Sequence, residues 1–391
     1  MNSESIIQVA TSVARRESLA VFLVGGPVRD LRLGVPVADV DFALETDAER
    51  FAQVLCAELH GDLHAFPQFL TWKVVMADGT EVDVATTRRE SYAHPGALPE
   101  VERASLQEDL RRRDFAANAL AMDLDDGHVV DPLGGLDDLR DRRFRILHDR
   151  SFIDDPTRIL RGLRLCVRLG FTFDYHTARL CEKAIATEVF SYVSRERLWR
   201  ELFLVLREPS PAAALSRMAG AGALQAWLGP VDISSLSELE RLTAGTTVSA
   251  ADRKIVYAAA LLAGRGDIFA ALPGSGFSNR ENELLVKLTG GAEDLCTALG
   301  ATDFYDPCRM SSEAALLFLA SRGERCAEAV ARCRAYKEVT LGFSGAELEV
   351  EPGPHIGRAM EETRRALFNG SITSGEAEGF ARSLALQYLS E

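Results

Sequence analysis

No stretch of this sequence holds the ~18 consecutive apolar residues that a membrane-crossing helix requires, so no such helix is expected. Seven cysteines are present, yet none forms a CxxC pair, and Cys166 and Cys181 sit among apolar neighbours on helical stretches. That pattern predicts buried free thiols rather than a zinc site or a disulfide framework. Aromatic residues are sparse at 7% against 47% hydrophobic overall, which fits a soluble, helix-rich protein. Tandem repeats and low-complexity tracts are missing. The first residues, MNSESIIQVATSVARRES, lack the basic-then-apolar order of a secretory signal, so a cytoplasmic location is expected. At 391 residues the chain exceeds one ordinary domain, and two to four are expected.

A surplus of positive charge is also missing. The net charge is −14, which at first argues against a nucleic-acid partner. Its distribution matters more than its total. Between Arg140 and Arg207, 15 Lys+Arg face 9 Asp+Glu, so that segment carries +6 and the remainder −20. A basic segment within an acidic protein can still meet phosphate, and its surroundings favour weak, transient binding.

What is present begins with an α/β pattern over residues 1 to about 148. Leu19–Val24 is a short apolar strand ended by Gly25-Gly26; Pro27 suits the first turn of a helix and Gly34 its end. Val40–Leu44 alternates as a strand, and Thr71–Met76 and Glu81–Ala85 flank Asp78-Gly79, a two-residue hairpin signal. After Asp154-Asp155-Pro156 the spacing becomes helical to the end, with breaks at Pro209-Ser210-Pro211, Leu272–Gly276 and Pro352-Gly353-Pro354.

Asp39 and Asp41 lie two apart at the start of a strand, so their carboxylates share a face. Asp83, on another predicted strand, is a candidate third carboxylate. Three such groups would repel one another unless a divalent cation neutralised them, and hard oxygen donors beside phosphate suit Mg²⁺. A DxD alone more often marks solvated residues. Its weight rises here because Gly25-Gly26 precedes it by one short helix, at a helix N-terminus where backbone N–H groups can hold an anion. Arg29, in the first turn, could add a forked phosphate contact.

Asp155 and Pro156 read as the cap and first residue of an amphipathic helix. Arg158, Arg161, Arg164 and Arg168 occupy one face, and Ile159, Leu160, Leu163, Cys166 and Val167 the other. The arginines have no acidic partner at i+4, so an anion or an acidic surface is expected to meet them. An Asp–Arg pair could read cytosine or adenine, since a carboxylate accepts from the exocyclic amine while a guanidinium donates to the ring nitrogen. Uracil and guanine would leave buried polar groups unpaired.

Together these pieces resemble a known family. Gly25-Gly26-Pro27-Val28-Arg29-Asp30, Leu33-Gly34 and Asp39-Val40-Asp41 look like the GGxVRDxxLG…DxD signature of class II tRNA nucleotidyltransferases and bacterial poly(A) polymerases. Arg112–Ala119 is similar to their RRDFxxNA motif, and Asp131–Leu139 to the motif that follows. Asp154–Phe171 resembles the base-selecting motif, Ser194–Leu202 the last, and Val350–Gly357, less specifically, a tail found in some bacterial members. The departures are small: Asp154 replaces the usual Glu, Ala116-Ala117 the usual Thr or Ser, and Gly162 and Leu165 stand where Ala and Phe are commoner.

The resemblance implies an α+β fold: a polymerase β-type nucleotidyltransferase head with a mixed sheet (1–148), then an all-α neck with the base-selecting motif (149–208), body (209–300) and tail (301–391). It implies that Asp39 and Asp41 bind Mg²⁺; with Asp83 they form the catalytic set. Gly25, Gly26, Arg29, Arg113, Asp114 and Asn118 would hold the triphosphate and sugar region, and Asp155 and Arg158 the base, with Arg161 and Arg164 nearby. The expected reaction adds C and/or A from CTP and ATP to the tRNA 3′ end. CC-only or A-only addition remains open, as does poly(A) synthesis, although the acidic balance of residues 338–391 (4 Arg against 9 Asp+Glu) speaks against the last. The segment between Asp83 and Arg111 is expected to flex between nucleotide states. A catalytically silent RNA-binding protein is the rival from another class, and the intact Asp39, Asp41, Arg113, Asp155 and Arg158 speak against it.

Overall fold

The computed structural model describes residues 1–37, 39–244, 248–265, 267, 270, 272–301 and 303–390. It separates into two units, Met1–Val231 with Pro273–Gly276, and Asp232–Leu272 with Phe277–Glu391.

The first unit opens on helix α1 (Ser3–Glu17), strand β1 (Phe22–Val24), α2 (Gly26–Leu33), β2 (Val40–Leu44) and α3 (Ala48–Leu59). Then come β3 (Asp62–Phe66), a 3₁₀ turn (Pro67–Phe69), β4 (Thr71–Val75) and β5 (Glu81–Thr86). The order in space is β3-β4-β5-β2-β1-β8-β9, where β8 is Ala121–Asp123 and β9 is Val129–Val130. Only β2 and β5 run parallel, so the sheet is mixed, as expected.

Strand periodicity gives this sheet two different faces. Phe42, Val82, Val84, Trp72 and Val74 are buried on the side where α3 packs, and Phe42 meets Phe51 of α3 edge-on at 5.8 Å. Asp41, Asp83, Lys73, Thr71 and Ala85 alternate with them and point to the opposite, open face. The β4–β5 turn is one residue longer than the sequence suggests: Met76 N–H donates to Thr80 O, and Gly79 takes the left-handed conformation at φ 81°.

A separate hairpin pairs β6 (Arg88–Ser91) with β7 (Glu100–Arg103). Next come α4 (Leu106–Arg111) with a complete Ser105/Glu108 capping box, a 3₁₀ turn (Ala116–Asn118), α5 (Gly135–Arg140), β10 (Arg143–Phe144), α6 (Ser151–Asp154) and α7 (Thr157–Leu169). β10 pairs in parallel with β11 (Thr172–Phe173). The unit continues through α8 (Tyr175–Ala186), α9 (Arg195–Val205) and α10 (Pro211–Gly220).

An aromatic cluster brings α7 to the preceding chain. Phe115 lies 5.1 Å from Phe144 and 5.8 Å from Phe173, ring centre to ring centre. Gly162 of α7 sits against it: a Cβ there would come within 2.5 Å of Phe115 and 2.6 Å of Phe173. Alanine, the commoner residue of the motif, has no room here.

The second unit is helical throughout its described residues, and its four cysteines depart from the expectation of buried free thiols, which Cys166 and Cys181 of the first unit meet. Cys296 pairs with Cys326 and Cys308 with Cys333 as disulfides, inside a core that includes Leu299, Phe304 and Leu316. Spacings of 30 and 25 residues carry no local signature, so the pairing became visible only once helices Asn279–Gly300, Tyr305–Met310 and Glu324–Lys337 were packed. Cys56, Cys166 and Cys181 are free.

Candidate active site

Residues from five of the motifs' segments converge on one cavity of ≈ 410 Å³ in the first unit. Its first wall is the glycine turn. Gly25, at φ 78°, caps α2 without a side chain, and its N–H donates to Leu120 O across to the β8 side. A Cβ on Gly25 would stand 2.6 Å from Nη1 of Arg113. Glycine is therefore required by backbone conformation, and its missing side chain lets this guanidinium come close. Arg113 is held from behind by Asp109, Nη2 to Oδ2 at 2.9 Å, while its buried Nε has no protein partner.

Asp41 lies on the cavity floor. Burial pushes its carboxyl up to about 7, the neighbouring Asp83 and Asp39 adding to the rise and Arg113 opposing it. Asp83, directly opposite in register, is also raised, by burial first, with Lys73 at 3.5 Å partly compensating. Asp39 is exposed two residues before Asp41 and does not line the cavity. Among the described residues no three His, Cys, Asp or Glu side chains are gathered tightly enough to enclose an ion. The donor set nonetheless fits a hard dication: oxygen ligands only, and carboxylates whose mutual repulsion Arg113 and Lys73 offset only in part.

The opposite wall belongs to α7. Asp155 is extended, and its Oδ1 accepts from Thr157 N–H (3.2 Å) and Thr157 Oγ1 (2.6 Å). It thus closes the turn that leads into the helix, which begins one residue later than expected: Pro156 is the N-cap and Thr157 the first helical residue. Arg158 is buried and donates to Ser151 Oγ and to Arg112 O, both at 2.7 Å, with its Nε 3.9 Å from Asp155 Oδ2. Arg161 reaches Glu201 at 2.9 Å and Asp114 at 3.4 Å. Burial alone would lower the Arg161 pKa, yet Glu201 and Asp114 raise it. Burial alone would raise Asp114, yet Arg161 and the Asn118 amide hold it below the usual carboxylate range.

Two expected nucleotide contacts are not at the cavity. The Arg29 guanidinium is 4% exposed and turned inward, bound to Asp30 (2.8 Å) and to Asn118 Oδ1 (2.6 Å). Its reason is local: the adjacent buried Asp30 must be neutralised. Arg164 pairs with Glu208 at 2.7 Å, and Arg168 lies 3.7 Å from Asp30. The arginine face of α7 is therefore met largely by acidic protein groups, only its N-terminal end opening on the cavity. Asn118 and Asp114 do line it, joined by a 2.9 Å hydrogen bond.

Five lining residues were not among the expected site residues: Glu90, Tyr92, Pro99, Arg112 and Arg197. Arg197 is the most telling. One η nitrogen donates to Asp155 Oδ1 at 2.8 Å and the other to Gly96 O at 2.9 Å, while Gly96 N–H reaches Asp154 O at 3.2 Å. The β6–β7 loop is thereby tied to the Asp154-Asp155 turn. Arg197 falls within the SRERLWREL motif, which was the available signal; its partners were not.

The model of the poly A polymerase head domain matches residues 21–145. A CC-adding tRNA nucleotidyltransferase of Deinococcus radiodurans is 30% identical over 359 residues, covering 91% of this chain and 87% of that protein. An A-adding tRNA nucleotidyltransferase of Geobacter sulfurreducens is 42% identical over 210 residues, 53% of this chain but 24% of that protein, so the chain spans about a quarter of that relative's length. The structure of a CCA-adding enzyme in an apo form superposes with a TM-score of 0.77 at 25% identity, covering 97% of this chain and 95% of that one.

Proposed function

The chain belongs to the tRNA nucleotidyltransferase family, and from that membership we propose that it adds C and/or A nucleotides from CTP and ATP to the 3′ end of tRNA without a template. One observation carries the reading: a single cavity has a glycine turn with Arg113 on one wall, Asp155 and Arg158 on the other, and Asp41 on its floor. The acceptor's 3′-oxygen forms a bond to the α-phosphorus, the bond from that phosphorus to the bridging oxygen breaks, and pyrophosphate leaves with the electron pair. The hydroxyl proton departs to solvent, Asp41 being kept for the metal ion.

Gly25, Gly26 and Arg113 would hold the triphosphate, backed by Asp109. Asp155 and Arg158 would read the base. Oδ1 of Asp155 is occupied by Thr157 and Arg197, so Oδ2 is the oxygen that would accept from an exocyclic amine. Asp39 and Asp41, with Asp83 beside them, would hold Mg²⁺, which when bound supplies charge neutralisation at the reacting oxygens. Removal of divalent ions by a chelator should abolish incorporation, and added Mg²⁺ should restore it.

The relative matched along most of its length adds CC, whereas the one with higher identity over a shorter region adds A. Three tRNA transcripts, ending before, within and after CC, supplied separately with labelled CTP and ATP, would separate full CCA addition from either part. Failure of all three to accept either label would overturn the proposal. The same reading puts the protein in the cytoplasm with its substrates; among the described residues no helix is long and apolar enough to cross a membrane.

A further inference from the structure

Asp41 faces two cavities, and only one of them has so far been given an occupant. The second, ≈ 450 Å³, lies over the open face of the sheet, and Asp41, Arg112 and Arg113 belong to both. Strand register fixes its floor. Asp41, Asp83, Lys73 and His64 stand opposite one another across β2, β5, β4 and β3, and two residues along so do Ala43, Ala85, Thr71 and Phe66. Directly opposed residues share a face, and so do residues two apart. In the second row Ala43 is covered by the core, and Ala85 and Thr71 form a low floor that runs on to an aromatic ring at the sheet's edge.

Phe69, in the 3₁₀ turn after Phe66, adds a second ring to that end. Phe66 is 40% exposed. Arg88 fastens the turn to the sheet by donating to Phe69 O and, at 2.8 Å, to Thr71 Oγ1. Lys73, paired with Glu81 and Asp83, and Arg88, paired with Glu90, stand at its flanks.

In phosphoryl transfer the attacking and leaving oxygens lie roughly in line. With the triphosphate on the glycine turn in the first cavity, the attacking hydroxyl must reach Asp41 from the other side. We propose that the second cavity seats the 3′-terminal nucleotide of the acceptor RNA, its hydroxyl toward Asp41, its sugar over Ala85 and Thr71, and its base against Phe66 and Phe69. Stacking on aromatic rings is how unpaired RNA bases are held, and the floor is small because a ribose must lie flat on it. This inference rests on the reading of the first cavity as the nucleotide site.

The test compares the full chain with the Phe66→Ala/Phe69→Ala double variant. An RNA carrying 2-aminopurine at its 3′ end reports stacking by fluorescence quenching, independently of turnover; ATP and CTP binding and acceptor and nucleotide KM are measured beside it. Stacking energies of ~1–3 kcal/mol per base predict a loss of RNA-end affinity and a rise in acceptor KM of about 5- to 150-fold, with quenching lost and nucleotide affinity unchanged. Phe66→Tyr and Phe69→Trp should preserve quenching, since each keeps a ring. Unchanged quenching and acceptor KM in the double variant overturn the inference while leaving the activity intact. Quenching that depends on the two rings, in a protein that incorporates no nucleotide, supports the inference and overturns the activity instead.

Discussion

At the residue scale, the side chains that touch the cavity are separated from their look-alikes by what lies behind them. Arg113 and Arg29 both stand in motif positions, but Arg113 is supported by Asp109 and opens on the glycine turn, whereas Arg29 is consumed by Asp30 and Asn118. No one-dimensional pattern distinguishes these fates, because both depend on which partner the fold delivers. Asp41→Ala should leave folding intact and remove turnover; incorporation at the wild-type rate would end the metal assignment. Arg197→Ala would release Asp155 Oδ1 and Gly96 O together. Charge-assisted hydrogen bonds of ~1.5–3 kcal/mol imply a drop in kcat/KM for the correct nucleotide on the order of 10- to 100-fold. Discrimination against UTP and GTP should weaken, and Arg197→Lys should restore it only in part because it cannot fork. Unchanged selectivity in steady-state incorporation would show that Asp155 needs no such support. The lowered carboxyls give a pH signature. Asp114 and Asp109 are held below their unfolded values by Arg161 and by Arg113 and Arg112 against the opposing effect of burial. Their stabilisation is fully present above pH ~4 and is lost as pH falls through the folded values. Urea midpoints taken from pH 7 down to 3 should fall in that range for the wild type and less steeply for Asp114→Asn.

At the element scale, legibility followed burial. β4 and β5 bury one face and leave the other more open, and α7 turns apolar residues to one side and arginines to the other, so their periods stand out in the sequence. β3, β6 and β7 carry no such signal: DLHAF and EVER are mostly exposed on both sides, and the inward face of RRES holds the charged Arg88 and Glu90 instead of apolar residues. The β6–β7 loop shows how much positioning such an element can still carry. Gly96 is left-handed at φ 68°, and a Cβ there would lie 2.5 Å from Tyr192 O. Gly96→Ala should therefore undock the loop tip, exposing residues 92–99 to limited proteolysis and mimicking Arg197→Ala in nucleotide selection. A cleavage pattern identical to wild type would mean that the docking contacts are not what orders the loop. Gly162→Ala is the matching test on α7. Overpacking against Phe115 and Phe173 should cost about 1–3 kcal/mol, read as a lowered denaturation midpoint, although alanine is a better helix former than glycine.

At the scale of the whole molecule, the two units owe their stability to different things. In the first, charged pairs join successive elements: Asp109 of α4 accepts from Arg88 N–H of β6 and pairs with Arg112, and Asp114 pairs with Arg161 of α7. In the second, apolar packing is supplemented by two cross-links around one aromatic cluster, where Phe304 lies 4.7 Å from Tyr305 and 5.7 Å from Tyr336. A disulfide closing a loop of 25 to 30 residues typically contributes about 2–4 kcal/mol by restricting the unfolded chain. In a reducing cytoplasm such pairs are kept as thiols, so the same fold would be held there by packing alone. Alkylation of the denatured, unreduced protein should label three cysteines, Cys56, Cys166 and Cys181, and all seven only after reduction. Reductant should lower the thermal midpoint of the helical unit while ATP and CTP binding, whose cavity lies wholly in the first unit, stays unchanged at temperatures below that midpoint. Labelling of all seven thiols without reductant, or a midpoint indifferent to it, would show that packing alone holds the cysteine pairs together.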